Sequence, residues 1–198
     1  MGSEMCIRDS HDSLTEYKGI KLVDLVTPKK KSFEAIIHTF KAILKAKSLH
    51  ADIVHIHAIG PALVTPLARL LGMKVVFTHH GPDYDRDKWG FAAKTMLRLG
   101  ERMGCMFANE VIVISEVIND LLVRKYGRRD CHLIYNGVPA PDKVADTDYL
   151  NSLGVEPCKY VFAMGRFVPE KNFHQLIRAF AALKQQNYKL VLAGDTDF

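Results

Sequence analysis

Gly165-Arg166-Phe167-Val168-Pro169-Glu170-Lys171-Asn172 separates an apolar run, residues 160–164, from an amphipathic stretch that opens at Asn172. That order reads as strand, turn and helix, with Arg166 and Lys171 at the mouth of the helix. Two cations there stand beside unbonded backbone N–H groups and the positive end of the helix dipole, the setting in which phosphate oxygens bind. Arg166 can fork onto two oxygens, and Lys171 supplies a compact point charge. The same spacing also fits a plain helix start, with Asn172 as cap, Glu170 favouring the dipole and both cations solvated. Histidines form the second set. His55 and His57 stand two apart on an expected strand and share a face, whereas the neighbours His79 and His80 point to opposite sides of theirs. A neutral imidazole at a strand end can hydrogen-bond a hydroxyl or ligate a metal, and it can equally be a satisfied structural histidine. No carboxylate stands in the H-E-x-x-H relation, so no metal is expected.

These residues depend on the elements around them. Residues 20–26 read as a strand, followed by the basic turn Pro28-Lys29-Lys30-Lys31. Phe33, Ile36, Ile37, Phe40, Ile43 and Leu44 then recur at the spacing of one buried helix face, with Ser32 as its cap. Residues 53–56 and 74–77 read as strands around a helix over 61–71 that bends at Pro66 and stops at Gly72. A long helix is expected over 89–107, where Gly100 and Gly104 permit close packing. A strand at 110–114, a helix at 117–126 closed by Gly127, and a strand at 132–135 complete this part. After the Pro- and Asp-rich passage 139–157 comes one further β-α-β unit, at 160–164, 172–185 and 188–193. Alternation of this kind predicts an α/β fold with a doubly wound parallel sheet, which binds ligands beyond the carboxyl ends of its strands. Each of the chemical motifs falls at such an end.

Composition narrows the classes. The 198 residues are 48% hydrophobic, enough for a sizeable core, and no apolar run approaches the roughly 18 residues of a membrane span. Met1 to Ser10 carries charges and no apolar core of a secretory signal, and Met5-Cys6-Ile7-Arg8-Asp9-Ser10 resembles a translated sequencing-adaptor scar, so residues 1–10 are set aside. The four cysteines, Cys6, Cys105, Cys131 and Cys158, include no C-x-x-C pair, which argues for a reducing, cytoplasmic compartment. A net charge of +5 favours anionic partners, yet no nucleic-acid module is present and no nucleic-acid partner is expected. The face from Phe33 to Leu44 covers a sheet in the commoner reading. Lys29, Lys30, Lys31, Lys41, Lys45 and Lys47 beside it also suit peripheral contact with a membrane.

The wording G-R-x-x-x-E-K-N at 165–172 resembles the donor-phosphate motif of the retaining glycosyltransferases of family 4, or glycosyl transferases group 1. His55-Ile56-His57, Thr78-His79-His80-Gly81, Ser115-Glu116 and Asn136-Gly137-Val138 resemble that family's H-x-H, T-x-H-G, S-E and N-G-V elements, in the same order. The resemblance implies a GT-B fold, with a Rossmann-like acceptor domain over 11–138 that lacks its first strand, an interdomain passage over 139–157, and a truncated nucleotide-sugar donor domain over 158–198. It implies transfer of a sugar from a nucleotide sugar to a glycan or lipid-linked acceptor in bacterial polysaccharide biosynthesis, with retention, in the cytoplasm or at the inner face of the membrane. By the same resemblance His80 is catalytic, and Gly165, Arg166 and Lys171 hold the donor phosphates. His55, His57, Gly81, Asp83, Tyr84, Ser115, Glu116 and Asn136 lie on the acceptor side or in the cleft. No cofactor or metal is implied. The family's glycine-rich loop and E-x7-E region are not found, so a fragment inactive by itself is expected. Two other readings stand beside this one: a non-catalytic α/β module binding an anionic ligand or partner, and a metal-dependent hydrolase using His55, His57 and His80.

Overall fold

Strands and helices follow most of the apolar runs and stripes across the residues that the computed structural model describes: 3–7, 15–25, 34–85, 89–140, 148–183 and 187–195. Contacts divide the chain into Met1–Gly137 and Val138–Phe198. The basic turn at Lys29 to Lys31 and the helix cap at Ser32 lie outside the described residues.

The first unit opens with β1 (Ser3–Ile7), β2 (Glu16–Tyr17) and β3 (Ile20–Asp24), in the order β1-β3-β2. β1 runs parallel to β3, with Ser3 opposite Ile20, and β2 runs antiparallel to it. Residues 3–7 belong to the stretch set aside as a scar, yet they form a strand. Ladder hydrogen bonds come from the backbone, so a free strand edge can accept a partner of almost any side-chain composition.

Next come α1 (Glu34–Ser48), β4 (Ile53–His57), a 3-10 turn (Pro61–Val64), α2 (Thr65–Leu70), β5 (Lys74–His79) and a 3-10 turn (Asp83–Asp85). After these follow α3 (Phe91–Phe107), β6 (Glu110–Val113), α4 (Glu116–Tyr126) and β7 (Cys131–Leu133). The four strands form an all-parallel sheet in the order β4-β5-β6-β7. Val75 and Phe77 of β5 and Val111 and Val113 of β6 are buried at its centre, against Ile43 of α1, Ala68 of α2 and Leu122 of α4. Parallel sheets covered by crossover helices need such apolar central strands. The helix expected over 61–71 divides into a 3-10 turn and α2 instead of bending at Pro66. Pro61 and Pro66 each sit in the first turn of their own element, where no N–H bond is lost, and the Thr65 hydroxyl donates to the Ala62 carbonyl at 2.7 Å across the junction.

Close approach fixes α3. A Cβ at Gly100 would lie 2.0 Å from the Ile59 carbonyl oxygen, and one at Gly104 would lie 2.7 Å from the Phe77 ring. The helix therefore presses its backbone against the loop after β4 and the centre of β5, which only glycine allows.

The second unit contains α5 (Asp148–Ser152), β8 (Tyr160–Met164), a 3-10 turn (Pro169–Lys171), α6 (Phe173–Ala182) and β9 (Lys189–Ala193), with β8 parallel to β9. Although residues 160–164 are an apolar run, their burial is only partial, since Phe162 is 54% and Met164 77% exposed. A two-stranded sheet and a ten-residue helix cover too little area to enclose both faces of a strand. Among the described residues no helix is long and apolar enough to cross a membrane.

Gly100→Ala should destabilise the first unit by about 3 kcal/mol, because a backbone carbonyl cannot yield to the new methyl. Gly72→Ala, at φ +83 with open space around it, should cost only about 1 kcal/mol through backbone strain. Urea denaturation of both variants checks this; an equal or smaller loss for Gly100→Ala contradicts the packing.

Candidate functional site

His55 and His57 project from one face of β4 with ring centroids 4.1 Å apart. Pairing of β4 with β5 sets His57 opposite Thr78, two residues before His80. His55 Nε2 accordingly lies 2.7 Å from the Thr78 hydroxyl, and His57 Nδ1 lies 3.1 Å from His80 Nε2. The rings of His57 and His80 stack at 5.4 Å between centroids. Nothing in the linear spacing brings the two histidine pairs together; the strand register does. His79 faces the other way, as alternation requires, and its side chain is fully buried.

An N···N contact of this length holds one shared proton, so one ring donates and the other accepts. Burial lowers the pKa of His55 below the usual 6.5, helped by the neighbouring His80. Burial likewise lowers that of His57, with repulsion from His55 and then His80 adding to it. Both rings are therefore neutral at neutral pH, each with an N–H and a lone pair. That suits recognition of hydroxyls, which donate and accept. Among the described residues no group of three or more His, Cys, Asp or Glu side chains is arranged to hold a metal ion.

Behind the histidines lies a carboxylate absent from the sequence-based candidates. Glu101 of α3 is fully buried. Its Oε1 accepts from His79 Nε2 at 2.9 Å and from the Tyr84 hydroxyl at 3.0 Å, while its Oε2 accepts from the Tyr126 hydroxyl at 2.6 Å and Lys125 Nζ at 3.2 Å. Lys125 also donates to the Tyr84 hydroxyl. Burial alone would raise the Glu101 pKa, but hydrogen bonds from His79, Tyr126 and Lys125 outweigh it and bring the group from 4.5 to about 2. Burial opposes the charge on Lys125, yet Tyr84 and Glu101 raise its pKa. One signal of Glu101 was legible: Leu97, Gly100, Glu101, Gly104 and Cys105 form the buried stripe of α3, and a charge within such a stripe requires partners.

The remaining candidates divide. Tyr84, expected on the acceptor side or in the cleft, is only 4% exposed and belongs to the Glu101 network, because its ring fills the core and its hydroxyl solvates the carboxylate. Gly81, at φ +134, follows His80 and donates its N–H to His79 Nδ1 at 3.1 Å. Asp83 begins the 3-10 turn, with its N–H on the Gly81 carbonyl. Ser115 caps α4 by accepting from the Ile118 N–H, and exposed Glu116 follows in the first turn, where its charge favours the dipole. Asn136 is exposed in the segment after β7.

In the second unit Gly165 directly follows β8, with its N–H on the Ala193 carbonyl. Arg166 is exposed just beyond it, and exposed Lys171 ends the 3-10 turn before α6. A Cβ at Gly194 would stand 1.9 Å from the Gly165 carbonyl oxygen, so the two strand ends touch backbone to backbone. Asn172 occupies the N-cap position in a left-handed conformation, φ 53, and makes no side-chain cap; its carbonyl instead accepts from the Gln175 and Leu176 N–H groups.

The family model for Glycosyltransferase Family 4 matches residues 6–140, and that for Glycosyl transferases group 1 matches residues 149–198. The uncharacterized glycosyltransferase YqgM of Bacillus subtilis is 31% identical over 149 residues, which are 73% of this chain and 40% of that protein. Sucrose-phosphate synthase from Thermosynechococcus elongatus is similar in structure with a TM-score of 0.72 at 18% identity, over 98% of this chain and 52% of that one. HepE of Anabaena, solved in complex with UDP and glucose, gives a TM-score of 0.66 at 21% identity, over 90% of this chain and 48% of its own. The chain thus spans about half the length, or less, of these proteins. The structural likeness establishes an α/β fold of GT-B type.

Because Glu101 has its folded pKa lowered from 4.5 to about 2, its contribution is present above pH 4.5 and is lost as the pH falls toward 2, to an extent on the order of 3 kcal/mol. Denaturation between pH 6 and pH 2.5 should therefore show a steeper acid loss for the native chain than for Glu101→Gln. Parallel curves would contradict the ionised network.

Proposed function

Since the chain belongs to Glycosyltransferase Family 4, we propose that it serves the transfer of a sugar from a nucleotide-sugar donor to a glycan or lipid-linked acceptor, with retention of anomeric configuration. The observation that carries the reading is the His57–His80 contact at the carboxyl ends of β4 and β5. Ligands of open α/β sheets bind at such ends. An imidazole pair there, each ring with a nitrogen left over from the mutual contact, suits the hydroxyls of a sugar or acceptor. His80 is the catalytic member, and His57 and His55 support it.

In this reaction the bond from the anomeric carbon to the diphosphate breaks, and its electron pair leaves on the phosphate oxygen. Charge stabilised more in the transition state than in the ground state gives rate. Arg166 and Lys171, beside the Gly165 turn, take that role. The reading is supported by the group 1 family match over residues 149–198 and, at the level of fold, by the likeness to HepE, which was solved with UDP and glucose. We assign no metal to the reaction. The setting is bacterial polysaccharide synthesis in the cytoplasm, with the lysines of α1, Lys41, Lys45 and Lys47, suiting peripheral contact with an anionic leaflet.

Titration calorimetry with UDP, GDP and dTDP tests the phosphate assignment. Arg166→Ala and Lys171→Ala should each weaken the preferred nucleotide about tenfold or more, the loss of a charge-assisted hydrogen bond; unchanged affinity in both would sink it. His80→Ala should leave nucleotide affinity within about twofold, while lowering turnover about a hundredfold in a form that turns over. Equal losses of affinity and turnover would overturn the division of roles. Transfer should survive EDTA, and loss on chelation with recovery on adding a divalent cation refutes the metal-free assignment.

A further inference from the structure

Two hydrogen bonds lead from the buried Glu101 to the turn that carries the exposed His80. Glu101 Oε1 lies 2.9 Å from His79 Nε2, and Nδ1 of the same ring accepts from the Gly81 N–H at 3.1 Å. A ring that accepts at Nδ1 and is neutral carries its proton on Nε2; an ionised carboxylate, which can only accept, demands that same proton. The two contacts therefore agree on one tautomer. Tyr84, Lys125 and Tyr126 donate to the remaining positions of the carboxylate. An amide in its place would turn an NH2 group toward donors and leave polar hydrogens unmatched in the core. His80 lies between the two residues that the Gly81-to-His79 bond closes, and Gly81, at φ +134, adopts a backbone conformation that favours glycine.

We propose that Glu101 is a positioning residue for the His57–His80 pair: it holds His79 as the Nε2–H tautomer, so that the bond from Gly81 to His79 fixes the turn presenting His80 to His57. The tautomer and the turn are properties of this chain alone, whereas the consequence for transfer rests on the function proposed above.

Long-range proton–nitrogen correlation spectra of the chain labelled with 15N-histidine read the tautomer directly. At pH 7 the native chain should show His79 protonated on Nε2 and bare on Nδ1, a slowly exchanging Gly81 amide, and a nuclear Overhauser contact between the His57 and His80 rings. Glu101→Gln should shift His79 toward the Nδ1–H form, speed Gly81 exchange about tenfold or more, and remove the ring contact. A native His79 protonated on Nδ1 overturns the proposal, as does a folded Glu101→Gln variant that keeps all three signatures. Should that variant fail to fold, the native tautomer decides by itself. In a form that turns over, Glu101→Gln should lower kcat at least about tenfold, as small misplacements of reacting groups do, with KM for the nucleotide sugar unchanged. If His80→Ala abolishes transfer while Glu101→Gln leaves kcat intact, the positioning role fails and the functional reading stands. If neither variant changes transfer while the tautomer signatures hold, the functional reading fails and the turn remains as described.

Discussion

A carboxylate taken wholly out of water must be surrounded by donors, and at Glu101 that demand draws together four elements of the first unit. His79 comes from the end of β5, Tyr84 from the turn after it, Lys125 and Tyr126 from the last turn of α4, and Glu101 itself from α3. A buried charge with even one donor removed is costly, so such a network is satisfied as a whole or is a liability. Its members sit where β5, α3 and α4 must already be packed. The glycines of α3 make that packing possible, since Gly100 and Gly104 bring the helix backbone against Ile59 and Phe77 and carry Glu101 to the level of the strand end.

The same demand divides the two adjacent histidines between different tasks. Strand alternation sends His79 inward to the carboxylate and His80 outward to His57. Inside, a charge is fully matched; outside, burial and mutual repulsion keep His55 and His57 uncharged. A buried carboxylate whose two oxygens are both paired thus supports a polar surface with hydrogen-bonding capacity still available. That is the arrangement expected where a protein must hold a ligand's hydroxyl groups without offering them a competing charge.

In the second unit the demand is geometric. Gly165 and Gly194 let the ends of β8 and β9 meet backbone to backbone, and the left-handed Asn172 turns the chain into α6. Arg166 and Lys171 stand on either side of this compact turn, set by backbone bonds from Val168 to the Arg166 carbonyl and from Lys171 to the Val168 carbonyl.

Much of this was legible in the residue order. Apolar period alone distinguishes strand from helix, and glycines and prolines mark the ends, so the α/β class, the parallel strands of the first unit and the strand–turn–helix order around Arg166 and Lys171 follow from local chemistry. The limits were also local: the helix over 61–71 divides where two prolines each require a first turn, and residues 3–7 form a strand because a backbone ladder is indifferent to their side chains. Relations between distant residues were not legible. His57 meets His80 only through the register of β4 on β5, and Tyr84 turns inward because Glu101, seventeen residues on, lies buried beneath it. A sequence specifies which groups can donate, accept or carry charge; which of them meet is decided by packing, because the free energy that selects one partner over another arises only after water has been excluded.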